Sequence, residues 1–423
     1  MKLINELPLI AVHLDLKTYQ NLRFSIQCSL PKIQKTTAYQ YKQTTVQYPK
    51  IHDISEYIST GNGMFEYFCM NNHLCIIKNV IQQIPKQTIN DILVELVFSE
   101  LEFDVELGYL LYKNCDFTDL VDLLFRVIET NDLNFVKELI GCVDITVESN
   151  YAIRQACLFG YYDMVKLLLE NGADPSDYNN DALFSATQTG SLEIVELLLR
   201  DPRVDPSDMD SIAFRNACSN GHYEIVKSFI RDNRTDFQAD NNFGLGVACD
   251  NGYTNIVRLL SDICDPTDND YYAFKAAIEN GNLEILKLIL KQQEYDFDLV
   301  GFATTHYQIQ IVEYLLACGI DPTKNDCYSL RHAVKHQQIE IFKLLLKDNR
   351  VDPRIRNNYP IGKASELGNM EMVQILLKYD IDPYDEDYYA LKASYLNKHF
   401  HIVNLLLQDP RLTNPNILKT IFE

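Results

Sequence analysis

A repeat of about thirty residues constrains this chain more than any other feature. Taking one small residue as a marker gives Ala156, Ala186, Ala217, Ala248, Ala277, Ala303, Ala333, Ala364 and Ser394, with spacings of 30, 31, 31, 29, 26, 30, 31 and 30. A unit this short cannot bury its own apolar face, so copies must stack on one another. The pattern extends upstream with larger residues at the marker, at Val127, near Val97 and at Phe68. Residues 63–415 therefore hold about twelve units, the first two or three degenerate.

Each unit predicts two helices. The first is short and apolar and ends at a glycine, often the second residue of an Asn-Gly pair such as Asn220-Gly221, Asn251-Gly252 or Asn280-Gly281. A left-handed turn there closes the helix at little steric cost. The second helix carries an early acidic residue and a lysine three later, as in Asp163/Lys166, Glu224/Lys227, Glu284/Lys287 and Glu340/Lys343, a spacing that suits helical ion pairs. Its apolar residues, for instance Ile194, Val195, Leu197, Leu198 and Leu199, cover more than one face and need neighbours on both sides. An Asp-Pro step then ends the unit, at Asp174-Pro175, Asp205-Pro206, Asp265-Pro266, Asp321-Pro322, Asp352-Pro353 and Asp382-Pro383. Proline cannot continue a helix, and aspartate closes side-chain turns.

The signature A-x-x-x-G-x-x-E-I-V-x-x-L-L-L resembles the ankyrin repeat family over about five-sixths of the chain. The resemblance implies an all-α, helix-turn-helix solenoid of about twelve repeats with short turns between units and a small N-terminal cap region. The family opening T-P-L-H-x-A is replaced here by Tyr151-Ala152-Ile153-Arg154, Tyr272-Ala273-Phe274-Lys275 and Tyr328-Ser329-Leu330-Arg331. The period is also about 30 in place of 33, so the projecting turns are expected to be shorter. This Asp-Pro-rich style is similar to the ankyrin arrays of large DNA viruses of protists and of some protists.

Composition narrows the function. A formal charge of -21 disfavours nucleic acid and anionic membranes, because such a surface repels phosphate instead of releasing its counterions. A basic protein partner fits better. Residues 1–50 carry +5 and the remainder -26, which marks the head as separate. No apolar run approaches the roughly 20 residues that span a bilayer. Eleven cysteines without a CxxC pair fit a reducing compartment. An intracellular, cytoplasmic monomer is expected, in host cytoplasm if the source is viral.

The acidic junction DPTDNDYY, with Asp265, Asp268 and Asp270, invites a metal or acid/base reading. A calcium loop counted from Asp268 has Ala273 where a sharp-turning glycine is wanted, and exposed turn carboxylates lack the burial that shifts a pKa. Turn chemistry with a charge partner is the reading adopted. The partner is expected to be the basic residue two before the marker, Arg154, Arg215, Lys275, Arg331 or Lys392. His332 and His336 lie one helical turn apart, yet Ala333 stands where the glutamate of H-E-x-x-H belongs, so they read as a surface pair. Cys69, Cys157, Cys218 and Cys249 follow the marker by one residue and read as packing, not as nucleophiles. No Walker loop, G-x-S-x-G or dinucleotide fingerprint occurs, so no cofactor and no catalysis are expected.

The expected product is a non-catalytic protein-interaction scaffold with a long acidic concave surface. Its acidic turns around Asp177, Asp208, Asp268 and Asp385, with Arg154 and Arg331 beside them, are the candidate partner-binding residues. Residues 1–62 form the N-terminal region, with Gly61-Asn62-Gly63 as a linker. Leu7-Pro8 followed by LDLKTYQNLR from Leu14 resembles the second half of an F-box, which implies an alternative role as substrate-recognition adaptor of a ubiquitin ligase. A plain cap shielding the first repeat is the other reading. Residues 416–423, within NILKTIFE, are expected to form the C-terminal capping helix.

Overall fold

A computed structural model describes residues 81–98, 103–291, 295–379, 381–383 and 385–410, together with Cys69, Leu74, Ile77 and Lys78. The N-terminal region, the unit around Phe68, the boundaries at residues 62 and 415 and the C-terminal capping segment lie outside these residues or only touch them. Among the described residues the structure is all-helical, with no strand. The chain divides into two compact units, Met1–Ala152 with Glu170–Gly172, and Ile153–Leu169 with Ala173–Glu423.

In the first unit, after a single 3₁₀ turn at Ile81–Gln83, come α1 (Lys86–Phe98), α2 (Val105–Tyr112), α3 (Leu120–Glu129) and α4 (Leu133–Ile140). They close over Leu93, Leu107, Leu111, Leu123, Leu124 and Phe135, all essentially inaccessible to water. Asp104 and Asp132 start α2 and α4 by accepting backbone N–H groups with their carboxylates, the usual remedy for the unpaired donors of a helix start. The next helices are α5 (Val147–Leu158), which runs across the division between the units, and α6 (Tyr162–Glu170).

The second unit continues with seven first-helix/second-helix pairs and one shortened pair. These are α7 (Asp177–Gln188) with α8 (Leu192–Leu199), α9 (Asp208–Ser219) with α10 (Tyr223–Asp232), α11 (Ala239–Asp250) with α12 (Thr254–Leu260), and α13 (Asp268–Glu279) with α14 (Leu283–Ile289). The shortened pair is α15 (Leu299–Thr305) with α16 (Ile309–Ala317). Then follow α17 (Lys324–Lys335) with α18 (Ile339–Lys347), α19 (Ile355–Glu366) with α20 (Met370–Leu376), and α21 (Asp385–Leu396) with α22 (Phe400–Leu407). First helices stack on first helices and second on second, each pair touching the next.

The marker residues lie at the centre of this stacking: from Ala156 to Ala364 they are wholly buried, as is Ser394. A larger side chain there would force neighbouring helices apart. Leucine, isoleucine and valine on the second helices, such as Ile194, Val195, Leu198, Ile285, Leu286 and Ile289, fill the layer behind. Each first helix ends, as expected, in a left-handed residue: Gly160, Gly190, Gly221, Gly252, Gly281 and Gly368 have φ between 66° and 76°. Where the glycine is missing, Tyr307, Gln337 and Lys398 adopt the same conformation.

The entry to the first helix differs from the sequence expectation of a simple helix start. Seven of these segments open with three consecutive left-handed residues, Glu148–Asn150, Tyr178–Asn180, Met209–Ser211, Asp240–Asn242, Asn269–Tyr271, Asn325–Cys327 and Arg356–Asn358. Left-handed backbone costs an L-residue about 1–2 kcal/mol, least for Asn and Asp, and Asn or Asp fill most of these places.

The third residue of the turn repays this cost. It is buried at Asn150, Asn180, Ser211, Asn242, Cys327 and Asn358, and at Asn180, Asn242, Tyr271 and Asn358 it bonds the next repeat. Asn180 accepts the Asp205 N–H at 2.8 Å and donates to Asp208 at 2.8 Å. Asn242 donates to Asp268, Tyr271 accepts the Asp296 N–H at 3.1 Å, and Asn358 donates to the Asp382 carbonyl. Substituting Asn180→Ala removes the acceptor of the Asp205 N–H and the donor to Asp208, and a loss of about 1 kcal/mol or somewhat more is expected in urea-monitored unfolding. Asn180→Gly, which relaxes the backbone but cannot make the bonds, is expected to be destabilised too, whereas the exposed Asn179→Gly is not.

Candidate functional site

The acidic edge is built from two kinds of carboxylate. The aspartate of each Asp-Pro step turns inward on its own backbone: Asp174, Asp205, Asp265 and Asp321 each accept both the N–H and the hydroxyl of the Ser or Thr two residues on, at 2.7–3.0 Å. The prolines that follow, Pro175, Pro206, Pro266, Pro322, Pro353 and Pro383, are buried. The step is thus an Asx turn nailed down by an apolar ring. Hydrogen bonds from Ser207 hold the Asp205 carboxyl below the usual range, and those from Arg354 do the same for Asp352.

The second kind opens the left-handed turn. Asp177 and Asp208 each accept the next residue's N–H at 2.8 Å, and Asp208 and Asp268 also accept the amide of the preceding repeat's asparagine. Neither Asp208 nor Asp268 forms an ion pair with a cation among the described residues. Asp385 begins α21, and its side chain lies outside the described part.

The basic residues two before the marker divide in a way the sequence did not show. Lys275 pairs with Asp270 of its own turn at 2.5 Å, as expected. Arg331 bonds backbone instead, donating to the Asp326 and Asn325 carbonyls at 3.0 and 2.9 Å. Arg215 holds the Asp210 and Met209 carbonyls while pairing with Asp240 of the following turn at 2.6 Å. Arg154 reaches forward to Asp181 at 3.2 Å and lies over the Tyr178 ring, 4.6 Å from its centroid. These cations tie turns together and neutralise Asp181, Asp240 and Asp270. Arg154 and Arg331 are therefore structural braces beside the edge.

A second brace left only a faint trace in the sequence, as Asp-x-Arg after three second helices. Arg203, Arg234 and Arg350 grip Asp201, Asp232 and Asp348 two residues earlier at 2.6–3.0 Å. Arg234 then donates to the Val204 and Leu199 carbonyls of the preceding repeat, and Arg350 to those of Gly319 and Ile320. A guanidinium is thereby placed on the negative end of the preceding second helix.

The second-helix acid/lysine pairs form at Glu224/Lys227 and Glu284/Lys287. At Glu340/Lys343 they do not: Lys343 turns to Glu371 of the next repeat, and Glu340 accepts the Tyr307 hydroxyl.

His332 and His336 stack with ring centroids 4.1 Å apart. Burial, then the neighbouring imidazole, lowers the His332 pKa. No group of three or more His, Cys, Asp or Glu among the described residues is placed to hold a metal. Cys69, Cys157, Cys218 and Cys249 are all buried, and burial pushes the Cys157, Cys218 and Cys249 thiols well above their ordinary value, which suits packing and not nucleophilic attack.

With paired helices, glycine-closed turns and sequential stacking in place, comparison with known families is decisive. A model of ankyrin repeats matches residues 124–210, 214–300 and 330–417. The chain belongs to the ankyrin repeat family. Comparison with curated proteins gives no match. Ankyrin repeats form protein-protein interaction domains, and proteins built of them are generally non-catalytic scaffolds. No helix among the described residues is long and apolar enough to cross a membrane.

The Asp-x-Arg braces make stability depend on pH. The arginine beside each is the main reason that Asp201 and Asp348 lie below 3.8. A carboxylate whose folded pKa is depressed stabilises the fold above its unfolded pKa and loses that contribution as pH falls through the folded value. Urea midpoints are accordingly expected to fall as pH drops from about 5 to below about 3, with Asp348→Asn already weaker at neutral pH and less responsive to acid.

Proposed function

We propose that this ankyrin array is a monomeric scaffold whose acidic turns receive a basic protein segment. The observation that carries the reading is the uncompensated charge of Asp208 and Asp268. Their hydrogen bonds fix the carboxylates in place, yet no cation pairs with them among the described residues, while other acids of these turns, Asp181, Asp240 and Asp270, are paired. Asp177 and Asp385 occupy the same place in their own repeats. Fixed carboxylates of one sign at regular intervals suit lysine and arginine side chains spaced along a partner, and they speed encounter more than they add affinity. The net charge of -21 reinforces that preference and opposes nucleic acid.

The adaptor reading rests on Leu7-Pro8 and the stretch from Leu14, outside the described residues. It predicts that a ubiquitin-ligase adaptor co-purifies with the full chain and is lost on deleting residues 1–30.

The acidic-edge reading is tested with a labelled deca-lysine peptide followed by fluorescence anisotropy. Asp208→Asn and Asp268→Asn keep an acceptor oxygen for the turn while removing the charge. Together they are expected to weaken the peptide roughly tenfold at low salt, with some loss of thermal stability because the bond from Asn180 to Asp208 is given up, and 0.5 M salt is expected to abolish the difference in binding by screening. Equal binding by wild type and the double variant at low salt would remove these turns from the contact surface.

A further inference from the structure

The charge of the second compact unit changes sign along its length. Residues 153–330 hold 28 Asp and Glu against 13 Lys and Arg, whereas residues 331–379 hold five against nine. Four of those five acids are paired with cations: Asp348 with Arg350, Asp352 with Arg354, Glu366 with Lys363 and Glu371 with Lys343. The fifth, Glu340 at the start of α18, accepts the Tyr307 hydroxyl. The excess in this stretch is therefore cationic.

Part of that excess gathers on one first helix. Arg331 and Lys335, and beside them His332 and His336, stand one helical turn apart on α17 and its C-cap, and no acid occurs between Asp326 and Glu340. Helix α17 ends on Lys335 where α11 and α13 end on Asp250 and Glu279, so the same place in the repeat has reversed its sign. Lys335 and His336 are exposed, and Lys335 makes no hydrogen bond or ion pair among the described residues. Arg331 bonds carbonyls, and Asp326, the carboxylate of its turn, is paired with Arg356 of the following repeat. The charged groups bearing on His332 are His336, Lys335 and His306 of the preceding repeat, and none is an acid. The acids of the adjoining repeats are engaged elsewhere: Glu279 faces His306 at 3.8 Å, and Glu366 is held by Lys363 and the Tyr389 hydroxyl.

A partner lying along the first helices must suit both signs. A polyanion is repelled by residues 153–330, and a uniformly basic segment meets like charge at α17. We propose that the protein segment received by the acidic turns is bipolar, with a basic run at Asp208 and Asp268 and an acidic run on Lys335 and His336 of the α17 face. Helix α17 is the second first-helix after the one that Asp268 opens. At about 8–10 Å between packed helices the separation is about 20 Å, which an extended chain covers in about six residues. The basic run rests on the proposed role of the acidic turns, and the acidic run rests on α17 alone.

Three labelled peptides, titrated with the full chain at low salt and followed by anisotropy, test this. One is a tetra-lysine run with a neutral tail, one a tetra-glutamate run with the same tail, and the third joins both runs through about six neutral residues. The bipolar peptide is expected to bind roughly tenfold tighter than the lysine peptide. Lys335→Glu is expected to remove that gain without weakening the lysine peptide, and the control Lys227→Glu on α10 to leave the gain intact. Lys335 is exposed and bonds nothing, so its substitution spares the fold. A bipolar peptide no tighter than the lysine peptide, or a gain that survives Lys335→Glu or is lost equally in Lys227→Glu, would overturn the proposal. So would self-association of the chain that Lys335→Glu abolishes in sedimentation, because the occupant of α17 would then be a second copy. Failure of the acidic-turn reading looks different: the lysine peptide does not bind, the glutamate and bipolar peptides bind alike through Lys335, and the bipolar partner is excluded.

Discussion

The array depends on a buried side chain at the third place of a left-handed turn. Stacked repeats touch through apolar helix faces, and such contacts are non-directional: they favour proximity but tolerate sliding. Asn180, Asn242 and Asn358 convert proximity into register, because each bonds backbone or carboxylate atoms of the following Asp-Pro segment. A repeat displaced by a residue would leave these polar groups buried and unpaired, which costs more than the bonds contribute when made. The unfavourable backbone of the triplet persists because these bonds require the third side chain to point inward.

Much of this was legible in the sequence, for reasons that differ between elements. The period, the glycine-closed first helices and the Asp-Pro connections were visible because each rests on a local rule: a left-handed position wants glycine, a proline stops a helix, an aspartate closes its own turn. The small marker residues were visible because close stacking leaves no space for more. The triplet was not visible, since Asn-Asp-rich stretches such as DYNND and TDNDYY read equally well as acidic surface. Only coordinates show that Asn179, Asp210 and Asp240 stand there for their tolerance of positive φ.

The arginines expose a second limit of sequence reading. Charge pairing was expected, yet Arg331 and much of Arg215 serve carbonyl oxygens, and Arg234 and Arg350 reach residues about thirty positions back. Composition records opposite charges without recording that a left-handed turn and a helix end both present unpaired carbonyls, which a guanidinium fork suits better than an ammonium. The substitution of the family's histidine by arginine at Arg154, Arg215 and Arg331 therefore goes with the triplet.

This bookkeeping also separates scaffold from surface. An acid that braces the array is matched by a cation or by several donors, as Asp201, Asp232 and Asp348 are. Among the described residues Asp208 and Asp268 are matched only by neutral donors, so folding leaves their charge in place. The shortened repeat shows how local a departure can be. It lacks the triplet, and its first helix starts directly from Asp298, whose carboxylate accepts the Gly301 N–H. A change of a few residues in one unit thus exchanges one helix entry for another, and the neighbouring repeats need not alter because each contacts only those beside it.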